Sequence, residues 1–287
     1  MKTKIKIILV VAVLLIVGVL LAIPKTTYEK WFNKDSVFDN VVNEDNEDVL
    51  LVYLENKDGK LVGVNVKVDS LENDLILQKW NLLTSDIGLP NGYKSVLSQN
   101  VNLNSYEIKD HILVLDVSSE IHSTNGRKML ECLAWTFIEG EIEEIKLREN
   151  GVELTEINGY HISKINKKMG INLDYETSYL FESIATTVVY TMDDYILPVT
   201  YFHLEEDVCT YIVEKTLSVF NEEFSNYEYE LNEEALVINF LDEVTLSNKT
   251  LESLTKSFEI NFELIKFSVN TTSGNLYEAV FGEIVEE

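Results

Sequence analysis

The side chains with which this chain could act on a substrate are 49 carboxylates, four histidines and two cysteines in 287 residues. His111, His122, His161 and His203 do not pair at metal-ligand spacing, so zinc has no natural ligand set. The chain has no Gly-x-Ser-x-Gly elbow, no His-Glu-x-x-His and no phosphate-cradling glycine loop. The runs Glu205-Glu206-Asp207 and Glu141 to Glu144 supply paired carboxylates, the acid and base of glycoside hydrolysis. A peptidoglycan hydrolase is the enzyme reading they allow. Both runs also sit where a helix begins or a chain turns, and acidic side chains are favourable at a helix N-terminus without catalysis. The expectation is no catalytic residue, no cofactor and no metal.

Asp116 is the candidate structural or assembly residue. It interrupts the apolar strand Ile112 to Val117, and a buried carboxylate must be paired or capped. One reading is an assembly contact. The other is a cap on the backbone before the following helix, a role the aligned Asn239 would also fill. Cys132 and Cys209 fall in amphipathic helices, which favours two small buried apolar side chains over a disulfide.

The elements that position these residues begin at a polarised N-terminus. Lys2, Lys4 and Lys6 precede an uncharged run from Ile7 to Ile23, 17 residues long and near the lower limit for a membrane span. Lysines on that side place the N-terminus in the cytoplasm and the rest outside. The exit Leu21-Ala22-Ile23-Pro24 lacks a small-x-small cleavage pair, so a single-pass signal-anchor is favoured over a cleaved signal and secretion. The chain carries -26 overall, and -29 beyond the three lysines. Nucleic acid is excluded as a partner, because phosphate binding needs clustered Lys and Arg.

Residues 1–24 are thus the anchor and 25–47 an acidic tether. From Asp48 a pattern runs and then repeats. Leu50–Leu54 and Leu61–Val66 read as a hairpin around Asn56-Lys57-Asp58-Gly59. Ser70 caps a helix with Leu71, Leu75, Ile76, Trp80, Leu83 and Ile87 at helical spacing. Strands Ser105–Ile108 and Ile112–Val117 follow, then a helix with Met129, Leu130, Leu133, Ala134 and Phe137 on one face, then a strand Ile142–Leu147. The second half has strands Thr187–Tyr190 and Ile196–Tyr201, and a helix marked by Val208, Tyr211, Ile212, Val219 and Phe220. It continues with strands Tyr227–Leu231 and Ala235–Phe240, a helix at Leu251, Leu254 and Phe258, and a last strand Ile260–Val269. The fold class is α+β: two tandem strand-strand-helix-strand-strand-helix-strand modules, each one sheet with two packed helices. The modules take 48–158 and 184–287, with 159–183 as linker. Tyr53, Trp80, Trp135 and Tyr190 are candidates to line a wall-polymer groove, although they lie on apolar faces.

In this order the residues resemble the GerM family, sporulation and spore germination proteins with GerMN domains. The resemblance rests on the first hairpin, Gly88-Leu89-Pro90 with Gly92, Ile112 to Ser118, the helix Thr124–Ile138, Glu144 to Leu147 and the bridge Gly170-Ile171-Asn172. It implies an envelope protein of a spore-forming, Gram-positive lineage at the outer face of the membrane. Part of each module is also similar to the ring-building motif of sporulation and secretion complexes, which implies scaffolding or self-association without catalysis. Its partners would be other envelope proteins or further copies, with cell-wall polymer as the alternative. The chain departs from the family in lacking a lipobox cysteine, in carrying Asn239 opposite Asp116, and in having no second Gly-Leu-Pro loop.

Overall fold

The computed structural model describes residues 48–68, 74–222 and 226–281. The expected span from Ile7 to Ile23, the tether and the expected cap Ser70 with Leu71 lie outside them. Among the described residues no helix is long and apolar enough to cross a membrane. Described residues up to Ala279 belong to one compact unit.

Strands β1 (Val49–Asn56) and β2 (Leu61–Lys67) form the expected antiparallel hairpin. Its turn is built by Asn56, whose side-chain oxygen accepts from the backbone of Asp58 and Lys60, both at 3.0 Å. Helix α1 (Leu75–Leu83) is capped by Asp74, which accepts from the Leu77 amide at 2.9 Å. It stops before Ile87, which is 86% exposed rather than on the apolar face. Thr84 turns its hydroxyl back onto the Trp80 carbonyl, and Ser85 captures the Ile87 amide. Such local side-chain bonds compete with helix continuation.

After the short β3 (Tyr93–Lys94) come β4 (Leu103–Lys109) and β5 (Ile112–Val117), joined by Asp110 and His111 at φ 51° and 63°. Two successive left-handed residues make a tight hairpin turn. Helix α2 (Gly126–Phe137) then returns the chain to β6 (Glu144–Glu149), parallel to β5, and β7 (Val152–Glu153) closes the sheet. The connection holds β8 (Glu156–Ile157), β9 (Tyr160–His161) and β10 (Asp174–Tyr175). The second half repeats the order: β11 (Ile184–Thr191), β12 (Ile196–His203), α3 (Val208–Phe220), β13 (Tyr227–Leu231), β14 (Ala235–Phe240), α4 (Asn248–Asn261), β15 (Lys266–Thr271) and β16 (Gly274–Val280).

Two expectations are corrected. The last strand does not begin at Ile260, which remains in α4; β15 starts at Lys266, and β16 follows it. Nor does each module form one sheet. The two halves build separate sheets β4-β5-β6-β7 and β13-β14-β15-β16, with β5 and β14 central. The two hairpins leave them and merge in a third sheet, where β12 pairs with β2, β11 and β10. One face of the first hairpin is wholly buried, with Val52, Leu54, Val62, Val64 and Val66 at most 3% exposed, while on the other Tyr53 and Leu61 are covered and Asn65 and Lys67 are exposed.

The outer edge of the second hairpin is closed by a helix rather than a strand. Ser253, Ser257 and Asn261 of α4 accept from the amides of Thr191, Val189 and Thr187 at 2.8, 2.8 and 3.0 Å. Four residues of helix rise about 6 Å and two residues of strand about 6.7 Å, so the two ladders match over three rungs. Helix α2 does the same for β1, where Thr136 accepts from the Tyr53 amide at 3.0 Å and the Cys132 thiol meets the Tyr53 carbonyl at 3.1 Å. Cys132 and Cys209 are free, buried thiols, each pushed up to about 12 by burial. Replacing Ser257 by Ala strands the buried Val189 amide, and the expected loss is about 1–3 kcal/mol in urea unfolding. An unchanged midpoint would mean that this edge is not held by the hydroxyl.

Candidate functional site

A dense polar construction lies where the two hairpins meet. Strands β2 and β12 share one rung, Gly63 opposite Ile196. Two residues further along, the same register would bring Leu61 opposite Pro198. The Asn172 side chain stands between them instead. Its amide oxygen accepts from the Leu61 amide at 2.8 Å, and its nitrogen donates to the carbonyls of Leu61 at 2.7 Å and Pro198 at 2.8 Å. Its own backbone amide donates to Glu131 of α2 at 3.1 Å.

Neighbouring residues aim this side chain. Gly170 has φ +79°, and a Cβ there would lie 2.9 Å from the Thr200 hydroxyl, so both conformation and space demand glycine. Ile171 bonds Thr200 twice: its amide donates to the Thr200 hydroxyl and its carbonyl accepts from the Thr200 amide, each at 2.9 Å. Glu131 is held in turn by Arg127 at 2.6 Å, and Arg127 also donates to the Tyr160 hydroxyl and, at 2.7 Å, to the Met169 carbonyl. The side-chain oxygen, both side-chain N–H groups and the backbone amide of Asn172 are all matched, and satisfied groups are what make a buried polar network stabilising.

A second polar contact joins α1, α2 and α4. The buried Lys79 ammonium donates to the Thr136 carbonyl at 3.1 Å and pairs with Glu139. Lys167 lies 5.5 Å from the Trp135 ring, its ammonium pulled down by burial and held up by Glu259 and Glu139. Glu259 is pushed up to about 7 by burial, against the pull of Lys167 and Lys256.

A third cluster lies under α3. Tyr211 stacks on His203 at 3.5 Å, donates to Glu176 at 2.8 Å, and shares Glu176 with Lys215. Burial pulls the His203 imidazole down, and its ring nitrogen meets the Thr186 hydroxyl at 2.8 Å. Burial raises the Glu176 carboxyl, but bonds from Lys215 and Tyr211 outweigh it and leave the group below its ordinary value. None of these contacts joins a nucleophile to a base in an open cleft.

The residues singled out from sequence are dispersed. Asp116 accepts from the Gly151 amide at 3.0 Å and so caps the β6–β7 turn, 35 residues along, rather than the start of α2. Asn239 accepts from Asn270 at 2.9 Å on the adjacent strand. Among the described residues no group of three His, Cys, Asp or Glu side chains is gathered for a metal. Asp207 caps α3, accepting from the Thr210 amide at 3.0 Å. Tyr53, Trp80, Trp135 and Tyr190 are each at most 5% exposed and line no groove, because their apolar area packs in the core. The sequence marked Gly170-Ile171-Asn172 only as a bridge between the repeats, and not that Asn172 joins their strands. A further local signal was Glu131, a carboxylate on an otherwise apolar helix face.

Asn172→Leu keeps the volume but strands three buried backbone groups, and the expected loss is about 2–4 kcal/mol in guanidinium unfolding. A midpoint within about 0.5 kcal/mol of the parent would remove the joint from the stability argument. A second outcome concerns pH. A carboxyl with a raised folded pKa takes up a proton on folding, so stability declines as pH rises from the unfolded value through about 7. Glu259→Gln is expected to flatten that decline between about pH 5 and about pH 8. Equal slopes in parent and variant would show that Glu259 is not the group responsible.

Comparison with known proteins places these features. The family model named Germane, described as sporulation and spore germination, matches residues 51–155. Spore germination protein GerM of Bacillus subtilis (strain 168) is 30% identical over 177 residues, which take in 56% of this chain. The match spans 45% of GerM, less than half that protein's length. The solved tandem GerMN domains of the sporulation protein GerM from Bacillus subtilis superpose with a TM-score of 0.68 at 20% identity, covering 83% of this chain and 98% of that one. That likeness establishes the fold, with both repeats included. Residues 51–155 are thus a domain of the sporulation and spore germination family, in a chain that is similar to GerM and has the fold of its tandem GerMN domains.

Proposed function

We propose that the chain is a non-enzymatic envelope protein, anchored by Ile7 to Ile23 with both repeats outside the membrane. It acts as a scaffold or assembly factor in a sporulation or germination complex. The observation that carries this reading is where the titratable side chains go. The charged clusters of the joint, of α1 with the end of α2, and beneath α3 are all spent on holding elements together. Meanwhile β4 and β13 each pair on one side only, and β4 is exposed along nearly its whole length. A strand with an open edge is a template for a further chain.

Charge sets the conditions of assembly. Residues 48–158 carry 19 acidic and 10 basic side chains, whereas 184–287 carry 21 and 4. Like charges across a contact are costly, so self-association calls for screening, a divalent cation or a basic partner. Purified residues 25–287 are expected to grow in sedimenting size with added magnesium or salt. A monomer unchanged across both titrations would sink the charge-gated scaffold.

A further inference from the structure

An open groove of about 630 Å³ lies beside the β1–β2 turn, lined among others by Asp58, Lys60, Asn125, Lys128, Tyr160 and Tyr175. That volume suits a small ligand site, which needs a concave wall and a few convergent polar groups. Some of the lining is committed. Lys128 reaches Glu55 at 3.3 Å and the Gly59 carbonyl at 3.0 Å, and the Tyr160 hydroxyl takes the bond from Arg127. Four groups have no partner among the described residues: the Lys60 ammonium, the Asp58 carboxylate, the Asn125 amide nitrogen and the Tyr175 hydroxyl.

Their types point to one chemistry. Tyr175 is 55% exposed, yet its ring is held by stacking on Phe202 at 4.9 Å and 18°. A fixed, exposed aromatic face is a platform for the C–H face of a sugar ring. Asp58 accepts and Asn125 donates, as sugar hydroxyls require. Lys60 adds one unpaired cation. A dense polyphosphate needs several cations, and the chain's acidic balance of -26 opposes it. A single cation beside a ring platform fits a sugar that carries one carboxylate.

We propose that this groove binds an acidic saccharide, with Tyr175 under the ring, Lys60 on the carboxylate, and Asp58 and Asn125 on the hydroxyls. The proposal does not depend on the scaffold reading, since sugar binding and assembly are measured separately. The full chain in detergent is titrated calorimetrically with a tetrasaccharide of alternating N-acetylglucosamine and N-acetylmuramic acid. The all-N-acetylglucosamine tetrasaccharide and glycerol phosphate oligomers are the comparisons. The acidic sugar is expected to bind at least about fivefold more tightly than the neutral one. Lys60→Gln should bring the two together, while Tyr175→Ala should weaken both about tenfold. The Lys60→Gln midpoint should match the parent's, Tyr175→Ala should lower it only modestly through the lost stacking on Phe202, and circular dichroism at the titration temperature checks that each variant is folded. No binding up to about 10 mM, equal affinity for both sugars, or phosphate oligomers binding as tightly as the acidic sugar would each overturn the proposal.

Discussion

The architecture depends on one buried amide. Strands β2 and β12 approach closely enough for a single rung at Gly63 and Ile196, and Asn172 occupies the position where the next would form. An unmatched amide or carbonyl inside a protein costs about as much as several good contacts gain. The divergence of the two strands is therefore tolerable only because one side chain serves both. Asparagine suits the place because it offers an acceptor and two donors in one plane. The bond from its backbone to Glu131 extends the same connection into α2, and through Arg127 to Tyr160 and Met169.

The same demand for matched backbone groups explains how the merged sheet ends. A strand edge can be covered by another strand, a helix or charge. Here β12 is flanked along its length by β2, the Gly170–Asn172 bridge and β10, and β11 on the far side by hydroxyl and amide side chains of α4. Helix α2 supplies the corresponding contacts to β1 through Thr136 and Cys132. Small polar side chains four residues apart thus perform the same service in both repeats. They also let helix and strand approach closely, since a larger residue would separate the two ladders.

These commitments bear on function. Charged groups buried in the joint and where Lys79 of α1 meets the end of α2 cannot be released without loss of the fold. What remains for partners is the outer surface: two half-paired strands, a strongly acidic second repeat, and a groove whose free groups are of mixed sign. The spread of charge follows from this division, because buried ions need partners and solvated ones do not. The likeness to the tandem GerMN domains is a likeness of this fold, in which polar chemistry serves cohesion.

The sequence by itself determined the order of elements. Apolar alternation and helical spacing located both hairpins and all four helices, and self-similarity at Asp116 and Asn239 revealed the duplication. Those signals are local, arising from which side of an element meets the core. Boundaries were weaker where side chains acted on the backbone, as at Ile87, where Ser85 and Thr84 ended α1, and at Ile260, which Asn261 kept in α4. Only the tertiary structure decided that the hairpins leave their modules and join, since pairing between β2 and β12 links residues more than 130 positions apart. It likewise decided that Asn172 fills the gap between them and that Asp116 caps a turn. A polar side chain carries no mark in sequence of the backbone group it will meet. That partner exists only once distant strands have packed and left a donor or acceptor unmatched.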